Sequence, residues 1–156
     1  MDDTPDSTDI RQTIESLPVF RGIDTKWLDL ITPIGTFTDV ERGHFIAREG
    51  QHAEFFHILI SGSVAIEMSS GLSGPVTIEH LADGDIVGWS AFQHPYKWTL
   101  SALSTEDSRL LTFDAHTLRH LCHDNTDLGY FMMLRIIDVV AHRLQAARLQ
   151  LLDFYS

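Results

Sequence analysis

The chain has 156 residues, of which 44% are hydrophobic and 21% are charged, and these values are typical of one globular domain. Its 22 acidic and 11 basic residues give a formal net charge of −11, whereas a DNA-binding surface must be basic, so direct DNA binding is not expected. No apolar run approaches the roughly 20 residues of a membrane span, the N-terminus lacks a secretory pattern, and a single cysteine excludes an intrachain disulfide, so we expect a cytoplasmic protein without membrane contact.

The N-terminal part is predicted to be a flexible tail followed by short helices. The first residues are polar and acidic, so we assign 1–13 to a flexible N-terminus and 14–156 to a single domain. A weak helical pattern ends at Pro18, which cannot continue a helix. Asp24 can cap a second short helix over 26–31. The apolar residues of the first helical pattern share one face: Ile10, Ile14 and Leu17.

The middle of the chain has the period of β-strands, with Gly, Asp and Ser turns between short apolar runs. This spacing predicts a mainly β fold, an eight-stranded antiparallel β-roll or jelly roll of the cupin-like barrel type. The run 55–60 is almost continuously apolar and is predicted to be a central strand, joined by a tight hairpin at Ser61-Gly62 to the next strand. The predicted strands are 34–40, 44–47, 55–60, 63–68, 76–81, 86–87, 98–103 and 109–113.

The segment 84–92 combines two glycines with a short helix-like run and is followed by a returning strand after Pro95. Glycine lets the backbone approach an anion, and a helix N-terminus offers unpaired N–H groups and positive charge. The segment therefore predicts a cradle for a phosphate or carboxylate. An ordinary structural turn is the alternative interpretation.

Two helices are predicted after the strands, the first capped by Asp114 and the second a long C-terminal helix over 124–155. The long helix has a heptad seam, which predicts parallel homodimerisation, although an apolar stripe can also pack on the helix's own barrel. A second apolar strip, which can face the barrel, contains Met132, Ile136, Val139 and Leu149. The predicted dimer interface consists of Tyr130, Met133, Ile137, Val140, Leu144, Ala147 and Leu151, and the same spacing continues to Phe154.

Several motifs resemble the cyclic-nucleotide-binding domain of the catabolite activator and Fnr regulator family. The clearest are the run Ile46-Ala47-Arg48-Glu49-Gly50-Gln51 followed by the strand at 55–60, and the stretch from Leu81 to Gly88 that resembles the approach to the phosphate-binding cassette. Leu17-Pro18-Val19-Phe20 and Ala141-His142-Arg143-Leu144-Gln145 resemble its N-terminal and dimer helices. The resemblance covers roughly residues 14–155 and implies the family's β-roll fold and a ligand-sensing role.

The resemblance also identifies the ligand residues, and they depart from the family pattern. Trp89 stands where a glutamate binds the ribose hydroxyl, and Lys97 is the nearest basic residue to the arginine that pairs with the cyclic phosphate. Ala147 and Arg148 stand where a threonine or serine meets the purine. The predicted ligand-binding residues are Gly88, Trp89, Ser90, Ala91, Tyr96, Lys97, Trp98 and Arg148.

Three interpretations of this altered cassette remain open. The aromatic side chains of Trp89, Phe92, Tyr96 and Trp98 can fill the pocket, which would leave a non-binding dimeric scaffold. They can instead line a pocket for a flatter, more apolar anion, whose charge is held by Lys97 and by the helix N-terminus at Ser90-Ala91. In the third interpretation a cyclic nucleotide, cAMP or cGMP, is bound by the altered groups, and no other cofactor is predicted.

An enzyme is not predicted, because no His-x-His pair or local nucleophile motif is present. His116, His120 and His123 share one face of the helix after the barrel, and a solvated polar face and adventitious zinc or nickel binding are the two interpretations. The chain stops where the family's DNA-binding helix-turn-helix would begin. We therefore expect a stand-alone regulatory module that senses a small anion and signals through its C-terminal helix to an unknown output protein.

Overall fold

The computed structural model describes residues 7–155, with side-chain detail from residue 9 onward, as two packed β-sheets flanked by helices. The helices are α1 (Ser7–Ser16), α2 (Thr25–Ile31), α3 (Ala115–Asp124) and α4 (Thr126–Tyr155). The strands are β1 (Gly35–Val40), β2 (Phe45–Ala47), β3 (Phe55–Ser61), β4 (Val64–Ser69), β5 (Pro75–Leu81), β6 (Ile86–Val87), β7 (Ser101–Ser104) and β8 (Ser108–Asp114).

The eight strands form two four-stranded antiparallel sheets, with the orders β1-β8-β3-β6 and β2-β7-β4-β5. This arrangement confirms the predicted mainly β, eight-stranded antiparallel fold with short N-terminal helices and a long C-terminal helix. The strand predicted from Trp98 begins only at Ser101. Residues 97 and 98 instead lie in a loop that pairs with residues 51 and 52. The Trp98 amide donates to the Gln51 carbonyl at 2.8 Å, and Lys97 forms a single antiparallel β-bridge with His52.

Strand β3 lies between β8 and β6, as expected of a central strand. Its run is almost continuously apolar because both of its faces are covered. Phe56 and Ile58 contribute to the core between this sheet and the helices, whereas Leu59 contributes to the core between the two sheets. Alternation along one strand therefore supplies both cores.

The hairpin predicted at Ser61-Gly62 is wrong, because β3 and β4 belong to different sheets. At this point the chain crosses from one sheet to the other beside Ser108. Gly62 has a φ of 124°, and a Cβ there would lie 2.7 Å from the Ser108 Cα, so only glycine fits. The sequence analysis correctly identified Gly62 as a turn residue, but tertiary packing decides that this turn connects two different sheets.

The N-terminal boundary differs from the prediction of a flexible 1–13 segment. Helix α1 already begins at Ser7, while residues 1–6 lie outside the described range. Ile10 is buried against the first core together with Ile14 and Leu17, so burial of this apolar face stabilises the helix. In α2 the Asp24 side chain accepts a hydrogen bond from the Lys26 amide at 3.0 Å, as the capping prediction required.

Helices α3 and α4 complete the core on the helical side of the first sheet. The Asp114 carboxylate caps α3 by accepting from the Thr117 amide at 2.9 Å. Gly129 lets α4 pass close to α3, because a Cβ there would lie 2.7 Å from the Cys122 carbonyl oxygen. The barrel-facing residues Leu128, Met132 and Ile136 are buried. Within residues 7–155, no helix has the length and hydropathy required to cross a membrane.

His57 is a buried histidine between the sheets, and it makes fold stability depend on pH. Its Nδ1 lies 2.8 Å from the Thr112 hydroxyl, and burial lowers its pKa from 6.5 to about 4. The unfolded chain therefore takes up a proton at this position near pH 6.5, which the folded chain resists until about pH 4. Stability falls across this window as pH decreases.

We expect the free energy of unfolding to drop by about 3 kcal/mol between pH 6.5 and pH 4 because of His57 alone. The measurement is denaturant unfolding at several pH values for the wild type and His57→Asn, whose amide can still bond to Thr112. Subtracting the pH dependence of His57→Asn from that of the wild type cancels the contribution of the other titrating groups, which the two proteins share. His80→Asn, at an exposed histidine, is the control and should keep the wild-type slope. Parallel curves for the wild type and His57→Asn would contradict the assignment.

Candidate functional site

The cassette segment, defined as residues 86–98, connects β6 to the loop before β7. After β6 the chain turns at Gly88, whose φ is 87°, and enters a 3₁₀ turn over Trp89–Phe92. The predicted short helix is therefore only a four-residue turn. Its macrodipole is correspondingly small, so the anion cradle predicted at Ser90 and Ala91 has little help from helix electrostatics.

Trp98 occupies the space directly above Gly88. A Cβ added to Gly88 would lie 1.7 Å from Cζ3 of the indole, so the ring packs on the glycine backbone itself. Trp98 is 8% exposed and belongs to the core between the two sheets, together with Leu59 and Leu110. The glycine thus permits close approach by an indole of the same chain, where the sequence analysis expected an anion.

Arg143 reaches from α4 onto the cassette and makes three contacts there. Its Nη2 donates to the Ile86 carbonyl at 2.7 Å, and its Nε lies 3.0 Å from a Glu79 carboxylate oxygen. Its guanidinium also lies 4.8 Å from the Trp89 ring centroid, within the range of a cation–π contact. The side chain is only 12% exposed, and burial lowers its pKa, an effect opposed by the charges of Glu79 and Asp85.

The pocket enclosed by these groups is small. Its volume is about 20 Å³ for the centre of a water-sized sphere, which is room for about one water molecule. The lining is mostly apolar, with Arg143 as its charged side chain. The lining residues are Ile66, Val87, Gly88, Trp89, Ser90, Trp98, Thr99, Leu100, Ala102 and Arg143.

The structure brings together four of the eight predicted ligand residues, namely Gly88, Trp89, Ser90 and Trp98. The others lie elsewhere. Ala91 is buried and its carbonyl accepts from Arg119 at 2.6 Å, while the Tyr96 ring lies 4.0 Å from the same guanidinium.

Lys97 and Arg148 are exposed and do not line the pocket. The cation that does line it, Arg143, was not predicted as a site residue. Its spacing could have identified it, because Met132, Ile136, Val139 and Arg143 follow one barrel-facing strip of the helix.

Most seam residues of α4 lie on the side away from the barrel, whereas Met133 packs against the first core. Ile137 is 59% exposed and Leu144 is 50% exposed, whereas Met132 and Ile136 on the other strip are buried. Of the remaining predicted interface residues, Tyr130, Val140, Ala147 and Leu151 are exposed and Met133 is half-buried. Apolar side chains repeated along an exposed helical stripe leave a surface that a partner can cover.

The histidine-rich face of α3 does not form a metal site in the described part of the chain, where no three His, Cys, Asp or Glu residues are arranged to hold an ion. The His116 and His120 rings are neighbours, with centroids 4.9 Å apart. Burial raises the pKa of the Cys122 thiol to about 11, so this cysteine is protonated and unreactive at neutral pH.

Comparison with known proteins gives a consistent family assignment. The family model described as the cyclic nucleotide-binding domain matches residues 37–125, ending just before α4. A CRP-like cAMP-activated global transcriptional regulator of Mycobacterium tuberculosis is 26% identical over 137 residues, which is 86% of this chain. The chain spans 58% of the length of that relative.

Solved structures share the fold across most of the chain. A protein of Geobacter metallireducens described as a cyclic nucleotide-binding protein is 25% identical, with a TM-score of 0.77 over 86% of this chain and 97% of that one. The regulatory subunit of a cAMP-independent protein kinase A from Trypanosoma brucei is 17% identical, with a TM-score of 0.69 over 89% of this chain and 48% of that one. The second likeness concerns the fold alone.

The packing of Trp98 on Gly88 predicts that Gly88→Ala destabilises the protein. The new Cβ must displace the indole, and alanine must also adopt a positive φ. Gly43→Ala is a matched control, because Gly43 has a φ of 88° and open space around its Cα. We expect Gly88→Ala to lose about 1–3 kcal/mol more than the control in denaturant unfolding. Equal losses of unfolding free energy in the two variants would mean that the indole can pack there without a glycine at position 88.

Proposed function

The chain belongs to the cyclic nucleotide-binding domain family, and from this premise we propose that it is a regulatory domain whose own side chains fill the nucleotide pocket. In this proposal Trp98 and Arg143 hold the cassette against α4 without a bound cyclic nucleotide. The observation that carries it is the indole of Trp98, packed so closely on Gly88 that the glycine has no room for a Cβ.

The available space supports this proposal. Pockets for small ligands typically have volumes of about 300–1,000 Å³, whereas the cavity beneath Trp98 measures about 20 Å³. A nucleotide could enter only if the indole left its place. Because Trp98 is buried, such a movement exposes apolar surface and costs about 1.5–3 kcal/mol. A ligand would have to recover that cost through its own contacts.

Arg143 supplies the connection between cassette and helix in this proposal. It joins α4 to the backbone of β6 through Ile86 and to β5 through Glu79. A hydrogen bond from a charged group contributes about 1.5–3 kcal/mol, enough to favour one helix position over another. The output of the domain would then be the position of α4, set by contacts within the chain.

Sensing of a cyclic nucleotide or another small anion is the second candidate function. It is favoured by the partly buried Arg143 guanidinium, a cation in the wall of the pocket that could turn from Glu79 to a phosphate. The cAMP-activated relative gives this candidate further support. It requires Trp98 to swing outward, with cAMP or cGMP as the first ligands to test.

Both candidates assign the domain a regulatory role and no catalysis. An unidentified protein would receive the signal from α4, because the net charge of −11 does not favour direct binding to DNA. We place this regulation in the cytoplasm, as its likeness to a transcriptional regulator suggests.

Hydrogen–deuterium exchange of the wild type and Arg143→Met tests the proposal. Without Arg143, amides in 86–92 and 143–155 should exchange roughly tenfold faster, because α4 loses its bonds to the cassette. Arg148→Met is the matched control, since Arg148 lies further along the same helix, exposed and outside the pocket. We expect this control to exchange like the wild type.

The same experiment with millimolar cAMP or cGMP separates the two candidates. A self-filled pocket predicts that neither nucleotide changes exchange in the wild type. Saturable protection of the cassette by either one would contradict the self-filled pocket and support nucleotide sensing. Unchanged exchange in Arg143→Met would mean that this arginine does not hold α4.

We also propose that two copies pair in parallel through the α4 seam. The seam repeats at heptad spacing and all its residues except Met133 are exposed. On the strip beside it Met132 and Ile136 are buried against the barrel, whereas Leu149, predicted on the same strip, is 56% exposed. Burial of such a stripe between two helices stabilises a coiled coil. The dimer would place the two cassettes on either side of one shared helical pair.

Light scattering after size-exclusion chromatography tests the dimer. We expect the wild type at twice the monomer mass of 17.6 kDa, and Ile137→Glu with Leu144→Glu at the monomer mass. Two carboxylates in the seam would have to be desolvated on pairing, whereas in the monomer both positions are exposed. Gln145→Glu with Ala146→Glu adds the same charge beside the seam and should remain dimeric. A monomeric wild type would overturn the proposed interface.

A further inference from the structure

A second concave site lies between the cassette segment and α3. Its volume is about 420 Å³ for the centre of a water-sized sphere, against about 20 Å³ beneath Trp98. We call it the α3 groove. It is lined by Phe92, Tyr96, His116, Arg119, His120, Cys122 and His123.

The lining of the α3 groove has basic side chains and no carboxylate, although the protein as a whole is strongly acidic. The chain carries 22 acidic and 11 basic residues, yet the groove contains one arginine, three histidines and no carboxylate. The His116 and His120 rings lie side by side with centroids 4.9 Å apart. Protonated imidazoles and a guanidinium are donors that bind phosphate oxygens.

Arg119 is held in place before any ligand arrives. One of its N–H groups donates to the Ala91 carbonyl at 2.6 Å, and its guanidinium lies 4.0 Å from the Tyr96 ring centroid. The Tyr96 backbone has a φ of 59°, and its side chain lines the groove beside the guanidinium. A guanidinium has five N–H donors, so contact with Ala91 leaves capacity for an anion.

We propose that the α3 groove binds a small phosphate-type anion, held by Arg119 and by the imidazoles of His116, His120 and His123. A protonated imidazole attracts an anion more strongly than a neutral one, so binding would strengthen as the pH falls. This site is separate from the pocket beneath Trp98 and does not depend on the proposed function.

The surroundings of the groove contain further titratable groups. His94 contacts the Tyr96 ring, Asp114 caps α3 at its first turn, and Asp124 ends the same helix. The pKa of Asp114 is lowered first by hydrogen bonds from Thr117 and then by the positive charges of His116 and Arg119. No residue of α4 lines the groove within residues 7–155.

Occupancy of the α3 groove would reach the cassette through Arg119. The same guanidinium holds the carbonyl of Ala91, which is buried in the middle of the 3₁₀ turn. An anion bound by the remaining N–H groups of Arg119 would pull on the same guanidinium and weaken its bond to Ala91. A bond from a charged donor is strong enough to affect the position of the turn. The groove is therefore a candidate input site.

Calorimetric titration of untagged, metal-free protein with inorganic pyrophosphate tests the site at constant ionic strength. We expect at least about tenfold tighter binding near pH 6 than near pH 8, because a protonated imidazole attracts the anion and a neutral one does not. His116→Gln with His120→Gln should remove most of this gain. His44→Gln with His80→Gln removes two exposed histidines elsewhere and should retain it.

Inorganic phosphate, titrated in parallel, should bind more weakly than pyrophosphate at each pH, because it carries less charge. The proposal is overturned if pyrophosphate does not bind near pH 6. It is overturned as well if both double variants lose binding equally, because binding would then depend only on the overall charge of the protein. It is also overturned if binding is the same at both pH values. The circular dichroism melting temperature of each variant, unchanged to within a few degrees, shows that the loss is not unfolding.

Discussion

The packing of the Trp98 indole on the backbone of Gly88 is the contact on which the cassette depends. The indole fills the space beside the Gly88 turn with a ring that belongs to the core between the two sheets. The family resemblance implies a ligand at this position. The glycine needed for a phosphate to approach is equally the glycine needed for an indole to approach. A glycine at this position can thus serve two different occupants, and in this structure the side chain ten residues later takes the space.

The second constraint is the strip of α4 that faces the barrel. Leu128, Met132 and Ile136 bury apolar surface in the core, and Arg143 continues the same strip onto the cassette. In the proposed regulation, a shift of α4 at the cassette would also move the exposed seam of the same helix. The cassette pocket and the proposed dimer surface would then be connected through one helix, which is a short physical path from site to output.

Strong local patterns predicted most of the fold. Alternating runs and glycine turns located all eight strands, and the Asp24 and Asp114 caps located the starts of two helices. The errors occurred where partners distant in sequence decide the outcome. The chain crosses between sheets at Gly62 because Ser108 packs against it, and α1 extends back to Ser7 because Ile10 finds a core.

The amino-acid sequence by itself determined the fold class, the family resemblance and the unusual residues of the cassette, because periodicity, turn chemistry and motif identity are local properties. It identified Trp98 and Trp89 as candidates to fill the pocket, but it left three occupants open. Only the tertiary structure decided that Trp98 lies on Gly88, that Lys97 points elsewhere, and that Arg143 supplies the cation. These outcomes depend on the distance between side chains 10 to 55 residues apart along the chain, which is set by sheet and helix packing.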